Sequence, residues 1–143
     1  MMNQFKKAFL IDDDSITNIL NEKIILKNQL VDSVQQFTNP LEALRDLRYL
    51  LREASALDFP DLIFLDINMP EMDGWKFLDE LLSISQIDFN KCKVIMLSSS
   101  IDIADIQKSI SYSVISKYIT KPLTPDKLEC IRKEEQPLLH FET

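Results

Sequence analysis

Leu62-Ile63-Phe64-Leu65-Asp66-Ile67-Asn68-Met69-Pro70-Glu71-Met72-Asp73-Gly74 decides how this chain is read. Four apolar residues run into a carboxylate, and a turn follows at once. So short a continuous apolar run matches a strand buried on both faces, as in a parallel sheet. Asp66 then stands at the carboxyl end of a central strand, where open α/β sheets place their ligand sites. Pro70 fixes φ and stops the strand. Gly74 is the only glycine among 143 residues, which predicts a backbone shape there that other residues resist. An Asp after a strand is most often a turn acid or a helix cap. Asp66 fits that role poorly, because it precedes the turn residues. A charge behind so apolar a run needs a partner such as a metal or a lysine.

Outward from this strand, strand-like and helix-like segments alternate. Phe5 to Ile11 is a strand that runs into Asp12-Asp13-Asp14. Ser15 to about Leu30 is a helix, with Ile16, Ile19, Leu20 and Ile24 on one face. Val31 to Phe37 is the second strand. Thr38-Asn39-Pro40 starts a helix carrying Leu41, Leu44, Leu47, Leu51 and Ala54. Asp58-Phe59-Pro60 breaks it, and Asp61 to Asp66 is the third strand. A helix starting near Gly74 places Trp75, Leu78, Leu81 and Leu82 at helical spacing. Cys92 to Leu97 is the fourth strand, followed by a helix with Ile103, Ile106 and Ile110. Ser116 to Thr120 is the fifth strand, ended by Lys121-Pro122, and Pro125 to about Arg132 is the last helix. Repeated βα units imply an α/β fold: a doubly wound five-stranded parallel sheet with helices on both faces. Right-handed crossovers select the flavodoxin-like strand order 2-1-3-4-5. The expected domain spans residues 1–135, with a tail at 136–143.

That topology gathers the strand ends on one edge. Strand 1 delivers Asp12 and Asp13, strand 3 Asp66, strand 4 Ser98 and strand 5 Lys121. Clustered carboxylates repel one another unless a cation is present. Oxygen ligands suit Mg²⁺, which keeps waters for a phosphate-bearing partner. A lysine and a hydroxyl opposite suit the remaining phosphoryl oxygens. Such a site can accept a phosphoryl group on a carboxylate.

Composition narrows the class. A net charge of −7 argues against nucleic-acid binding. No apolar run is long enough to span a membrane, and the first residues lack the pattern of a secretory signal, so a cytoplasmic location is expected. Cys92 and Cys130 lack metal-ligand spacing, and Cys92 reads as core. The only histidine, His140, has no second ligand near it.

The motifs Phe9-Leu10-Ile11-Asp12-Asp13-Asp14, Leu65 to Gly74, Val94-Ile95-Met96-Leu97-Ser98 and Tyr118-Ile119-Thr120-Lys121-Pro122 occur in this order along the chain. Together they resemble the response-regulator receiver domain of two-component signalling, the CheY-like fold, over about the first 130 residues. The resemblance implies that Asp66 is the phosphoacceptor. It implies that Asp13 binds Mg²⁺ directly, Asp12 mainly through water, and that the Asn68 backbone carbonyl is a further ligand. Lys121 would pair with phosphoryl oxygens, Ser98 would be the switch hydroxyl, and Tyr118 the aromatic whose burial changes with activation. Asn68 and Ser100 would flank the phosphoryl group and tune its lifetime. The Lys121-Pro122 bond is expected to be cis. Ser98 stands where many members have Thr, which keeps the hydroxyl. Asp14 has no such role and reads as a cap for the helix at Ser15.

The expected partners are a histidine kinase or histidine phosphotransfer protein, and a downstream protein target read through helix 4, strand 5 and helix 5. No nucleic acid, membrane or enzymatic turnover is expected beyond self-catalysed phosphotransfer and autodephosphorylation. Two alternatives compete. Asp12-Asp13-Asp14-Ser15-Ile16 resembles the first-strand element of haloacid-dehalogenase-type phosphatases, with Asp12 as nucleophile. That reading leaves Asp66 and its motif unexplained. A docking module that is never phosphorylated would not need the full set of Asp12, Asp13, Asp66, Ser98 and Lys121. Flavin or dinucleotide binding lacks a glycine-rich phosphate loop.

Overall fold

β3 (Leu62–Asp66) is buried along its whole length, as a strand covered on both faces must be. The computed structural model describes residues 3–53, 58–99 and 101–133. Ala54, Ser100, His140 and the 136–143 tail lie outside the described residues. Around β3 run β1 (Phe5–Ile11), α1 (Ser15–Lys27), β2 (Val31–Phe37) and α2 (Pro40–Glu53) before it, and α3 (Gly74–Leu82), β4 (Lys93–Ser98), α4 (Ile103–Ile110), β5 (Ile115–Thr120) and α5 (Pro125–Arg132) after it. All strand pairs are parallel, in the order β2-β1-β3-β4-β5. This is the expected doubly wound fold.

Strand period splits each apolar run between two cores. Phe9, Ile11, Ile63, Leu65, Val94 and Met96 face one side, where Leu44 of α2, Leu78 of α3 and Ile106 of α4 cover them. Ala8, Leu10, Leu62, Phe64, Ile95 and Leu97 face the other, under Ile25 of α1 and Leu128 and Ile131 of α5. Each such fully buried large side chain contributes about 1.5–3 kcal/mol. Cys92 is core, as expected, and burial pushes its thiol up to about 12, which leaves it unreactive.

Two expectations about α1 need correction. The face formed by Ile16, Ile19 and Leu20 does not enter the core: these residues are 66%, 45% and 60% exposed. Asn18, Asn21 and Ile25 turn inward instead. Asn18 can do so because its amide donates to the carbonyls of Asp12 (3.0 Å) and Phe37 (3.1 Å) at the ends of β1 and β2. Both donors of this buried amide are thereby satisfied, while its Oδ1 is buried with no partner among the described residues. The helix also stops at Lys27 rather than near Leu30. Gln29 adopts φ 57°, and the Leu30 N–H returns to the Ile25 carbonyl, a left-handed helix ending. Leu41 and Leu82 likewise stay exposed on α2 and α3. The remaining strand boundaries move by a single residue: β3 starts at Leu62, β4 covers Lys93–Ser98, and β5 starts at Ile115.

Asp14 caps α1, accepting from the Ile16 and Thr17 amides. A hydrogen bond from the Thr17 hydroxyl, with these amides, holds its carboxyl below the usual range. Gly74 opens α3, and its φ is not positive. The expected strained backbone is absent. The need is space: a Cβ at this position would lie 2.6 Å from the Asp66 carbonyl oxygen and 3.0 Å from the Ile67 Cα. Both are backbone atoms that cannot swing aside. Gly74→Ala should therefore destabilise the fold by about 1–3 kcal/mol, read by urea unfolding. An unchanged midpoint would mean that α3 moves off β3 at no cost.

Candidate functional site

β1 and β3 are neighbours in register, with Ile11 beside Leu65. The next residues along, Asp12 and Asp66, therefore meet at one edge of the sheet. On the far side, Asp66 pairs with Leu97 and Ser98 with Thr120, so Ser98 and Lys121 reach the same edge. Carboxylate oxygens of Asp12, Asp13 and Asp66 lie within 4.8 Å of one another. The Lys121 ammonium donates to Asp12 Oδ2 at 2.6 Å and to Asp66 Oδ1 at 3.1 Å. The Lys121-Pro122 bond is cis, as expected, and the Lys121 N–H donates to the Ser98 carbonyl. The structure thus brings together Asp12, Asp13, Asp66, Ser98 and Lys121.

Burial sets the electrostatics. Asp12 and Asp66 are 5% and 7% exposed. Loss of water, partly opposed by Lys121 and reinforced by the charges of Asp12 and Asp13, raises Asp66 from 3.8 to about 6. The carboxylate still prevails at neutral pH, but it is an unusually basic one. For Lys121, burial works downward, while its bonds and charge interactions with Asp12 and Asp66 work upward and prevail. The ammonium stays charged.

Asp13 is exposed and joins the acidic cluster from the solvent side. Asp12 is more committed: besides Lys121, its Oδ1 accepts from the Asp14 N–H at 2.9 Å. Asn68 is exposed on the loop after β3. Three hard oxygen donors around one point, with one side open to water, are a donor set that fits Mg²⁺. Tyr118 is buried at 2% exposure. Burial raises its hydroxyl pKa, and a hydrogen bond with the Ser98 side chain works the other way. The two residues expected to switch are therefore in contact.

Asn18 escaped the sequence reading. Its amide ties the Asp12 carbonyl to that of Phe37, so it holds the base of the acidic loop. The only signal for it is a polar residue at helical spacing from Asn21 and Ile25, which loses to the larger apolar set on the other face.

A family model of the response regulator receiver domain matches residues 8–131. The chain is 34% identical to a two-component response regulator of Cytophaga hutchinsonii, whose structure it matches with a TM-score of 0.84 over 92% of this chain and 97% of that one. It is 31% identical to the phosphorylated cyanobacterial phytochrome response regulator RcpA, with a TM-score of 0.69 over 90% and 89%. A protein-glutamate methylesterase/protein-glutamine glutaminase of Burkholderia thailandensis is 37% identical over 93 residues, 65% of this chain. The chain spans 22% of that relative's length. No described helix is long and apolar enough to cross a membrane. With this fold and these motifs, the chain belongs to the response regulator receiver domain family of two-component signalling.

Proposed function

We propose that the chain is a phosphoacceptor switch in which Asp66 takes a phosphoryl group from a protein phosphohistidine. The observation that carries this reading is the Lys121 bridge between Asp12 and a buried, basic Asp66. An Asp66 oxygen attacks phosphorus, a P–O bond forms, and the P–N bond breaks. The electron pair leaves on the imidazole nitrogen, which takes up a proton. Lys121 is placed to release its hold on Asp66 and meet the incoming phosphoryl oxygens. Ser98 offers a hydroxyl from the neighbouring strand, and its bond to Tyr118 would be exchanged for one to the phosphoryl group. Asp12, Asp13, Asp66 and the Asn68 carbonyl would hold Mg²⁺, which supplies positive charge against the transferred group. On the family resemblance, Asn68 and Ser100 would tune how long the phosphoryl group survives. The protein works in the cytoplasm as a switch, with no turnover beyond its own phosphorylation and dephosphorylation.

Two apolar surfaces suit the two partners. Ile16, Ile19 and Leu20 of α1 lie directly after the acidic loop. A histidine kinase or histidine phosphotransfer protein must cover this region to bring its histidine to Asp66. Ile101, Ile103 and Ile110, 73%, 69% and 48% exposed, belong to the side of α4, β5 and α5, where a downstream protein would read the switch.

Acetyl phosphate with Mg²⁺ should label the protein, and Asp66→Asn should abolish the labelling, scored by mass spectrometry. Labelling that survives Asp66→Asn and is lost in Asp12→Asn would favour a phosphatase-like nucleophile instead. Ile19→Lys should leave acetyl phosphate labelling unchanged but slow transfer from a phosphohistidine protein by about tenfold or more. Equal rates from the protein donor would remove α1 from the docking surface.

The raised Asp66 pKa has a stability consequence. Folded protein keeps this proton to a higher pH than unfolded chain does. Stability therefore falls as pH rises from about 4 through about 6, and stays lowered above that. Without divalent metal, Asp66→Asn should raise stability at pH 7 by roughly 2–3 kcal/mol, and the gain should vanish near pH 4. A gain independent of pH would assign the effect to packing.

A further inference from the structure

Lys127 is buried at 6% exposure in the first turn of α5. Its environment opposes it twice. An ammonium at a helix N-terminus meets the positive end of the macrodipole. A buried charge is costly unless it is paired or fully hydrogen-bonded. Among the described residues no carboxylate pairs with this one: its acceptors are the Thr120 carbonyl at 2.8 Å, the Pro122 carbonyl at 3.1 Å and the Thr120 hydroxyl at 3.4 Å. The three donors of the ammonium thus meet three neutral oxygens.

The identity of those oxygens is informative. Thr120 ends β5, and its carbonyl belongs to the peptide unit just before Lys121. The Pro122 carbonyl belongs to the unit just after the Lys121-Pro122 pair. One buried ammonium therefore grips the chain on both sides of the residue that bridges Asp12 and Asp66. The Lys121 N–H is held from a third direction by the Ser98 carbonyl. Lys121 itself is long and flexible, so its aim depends on how firmly its backbone is seated. We propose that Lys127 is a positioning residue for phosphotransfer, acting through Lys121 by clamping the β5–α5 loop. The proposal rests on the phosphoacceptor reading of Asp66.

The test is a double-mutant cycle on the full chain, with initial labelling of Asp66 by saturating acetyl phosphate and Mg²⁺ as the readout. Circular dichroism establishes that each variant is folded. Lys127→Met keeps the apolar stem and removes the clamp. It should slow labelling by roughly 10- to 100-fold, the effect of misplacing a reacting group by about 1 Å. Lys127→Gln keeps two donors on a shorter arm and should lose less. In a Lys121→Met background, Lys127→Met should cause no further loss, because the residue through which it acts is gone. A merely structural lysine would cost the same factor in both backgrounds. Should Lys127→Met fail to fold, Lys127→Gln carries the same cycle, with its smaller loss again vanishing in Lys121→Met. A parent rate in Lys127→Met, or an equal loss in both backgrounds, overturns the assignment of Lys127 alone. Absence of Asp66 labelling in the parent chain overturns it together with the phosphoacceptor reading.

Discussion

Three carboxylates share one sheet edge with one bridging ammonium, and much of the structure around them follows from that imbalance. At 4.8 Å, two unit charges in a medium of effective dielectric about 20 repel by roughly 3 kcal/mol. Lys121 offsets part of this through Asp12 and Asp66. It does not offset all of it, because Asp66 remains basic. The side chains gathered at this edge are therefore short of positive charge by themselves. The cost falls on the rest of the fold, which meets it with two cores packed on a five-stranded sheet.

That imbalance fits a support around the site made of backbone contacts and of hydrogen bonds to neutral acceptors. Asn18 ties the Asp12 carbonyl to β2. Gly74 lets α3 press against the Asp66 carbonyl. Lys127 binds carbonyls, not acids. Another acid here would deepen the repulsion, and another free cation would compete for Asp12 and Asp66. The Asn18 amide and the absent Gly74 side chain hold the geometry without adding charge, and the Lys127 ammonium is engaged by carbonyl oxygens.

The sheet and the acidic edge were legible in the sequence because both rest on strong local signals. Ile63 to Leu65 is continuously apolar, and Asp66 follows directly. Strand order then delivers Asp12, Ser98 and Lys121 to the same edge. The orientation of α1 was not legible. Its two faces offer similar helical spacing, and the apolar set Ile16, Ile19 and Leu20 outweighs Asn18, Asn21 and Ile25 on any hydrophobicity argument. Tertiary hydrogen bonds to β1 and β2 decide the matter, and no local window contains them. Gly74 was singled out correctly but for the wrong physical reason. A lone glycine signals a requirement, yet sequence cannot distinguish a backbone angle from a close approach eight residues earlier in the chain. Lys127 was invisible for a similar reason: a lysine in a first helical turn reads as solvated, and only the fold shows which carbonyls it faces.

The misplaced α1 face bears directly on function. Ile16, Ile19 and Leu20 are apolar side chains that the fold does not use, on the helix that begins where the acidic loop ends. On the opposite core, Trp75 follows Gly74 and stacks on Tyr112 at 5.5 Å, with Lys108 of α4 over its ring at 5.1 Å. Tyr112 in turn donates to Asp79 of α3 at 2.8 Å. The residue next to the tightest contact behind Asp66 is thus packed against the segment that includes α4. A shift at the carboxyl end of β3 has a physical route to α4 through these rings, and a second through Ser98 and Tyr118. On the proposed phosphoacceptor reading, one surface would serve the arriving donor while the other would report the result, because the same sheet edge joins them.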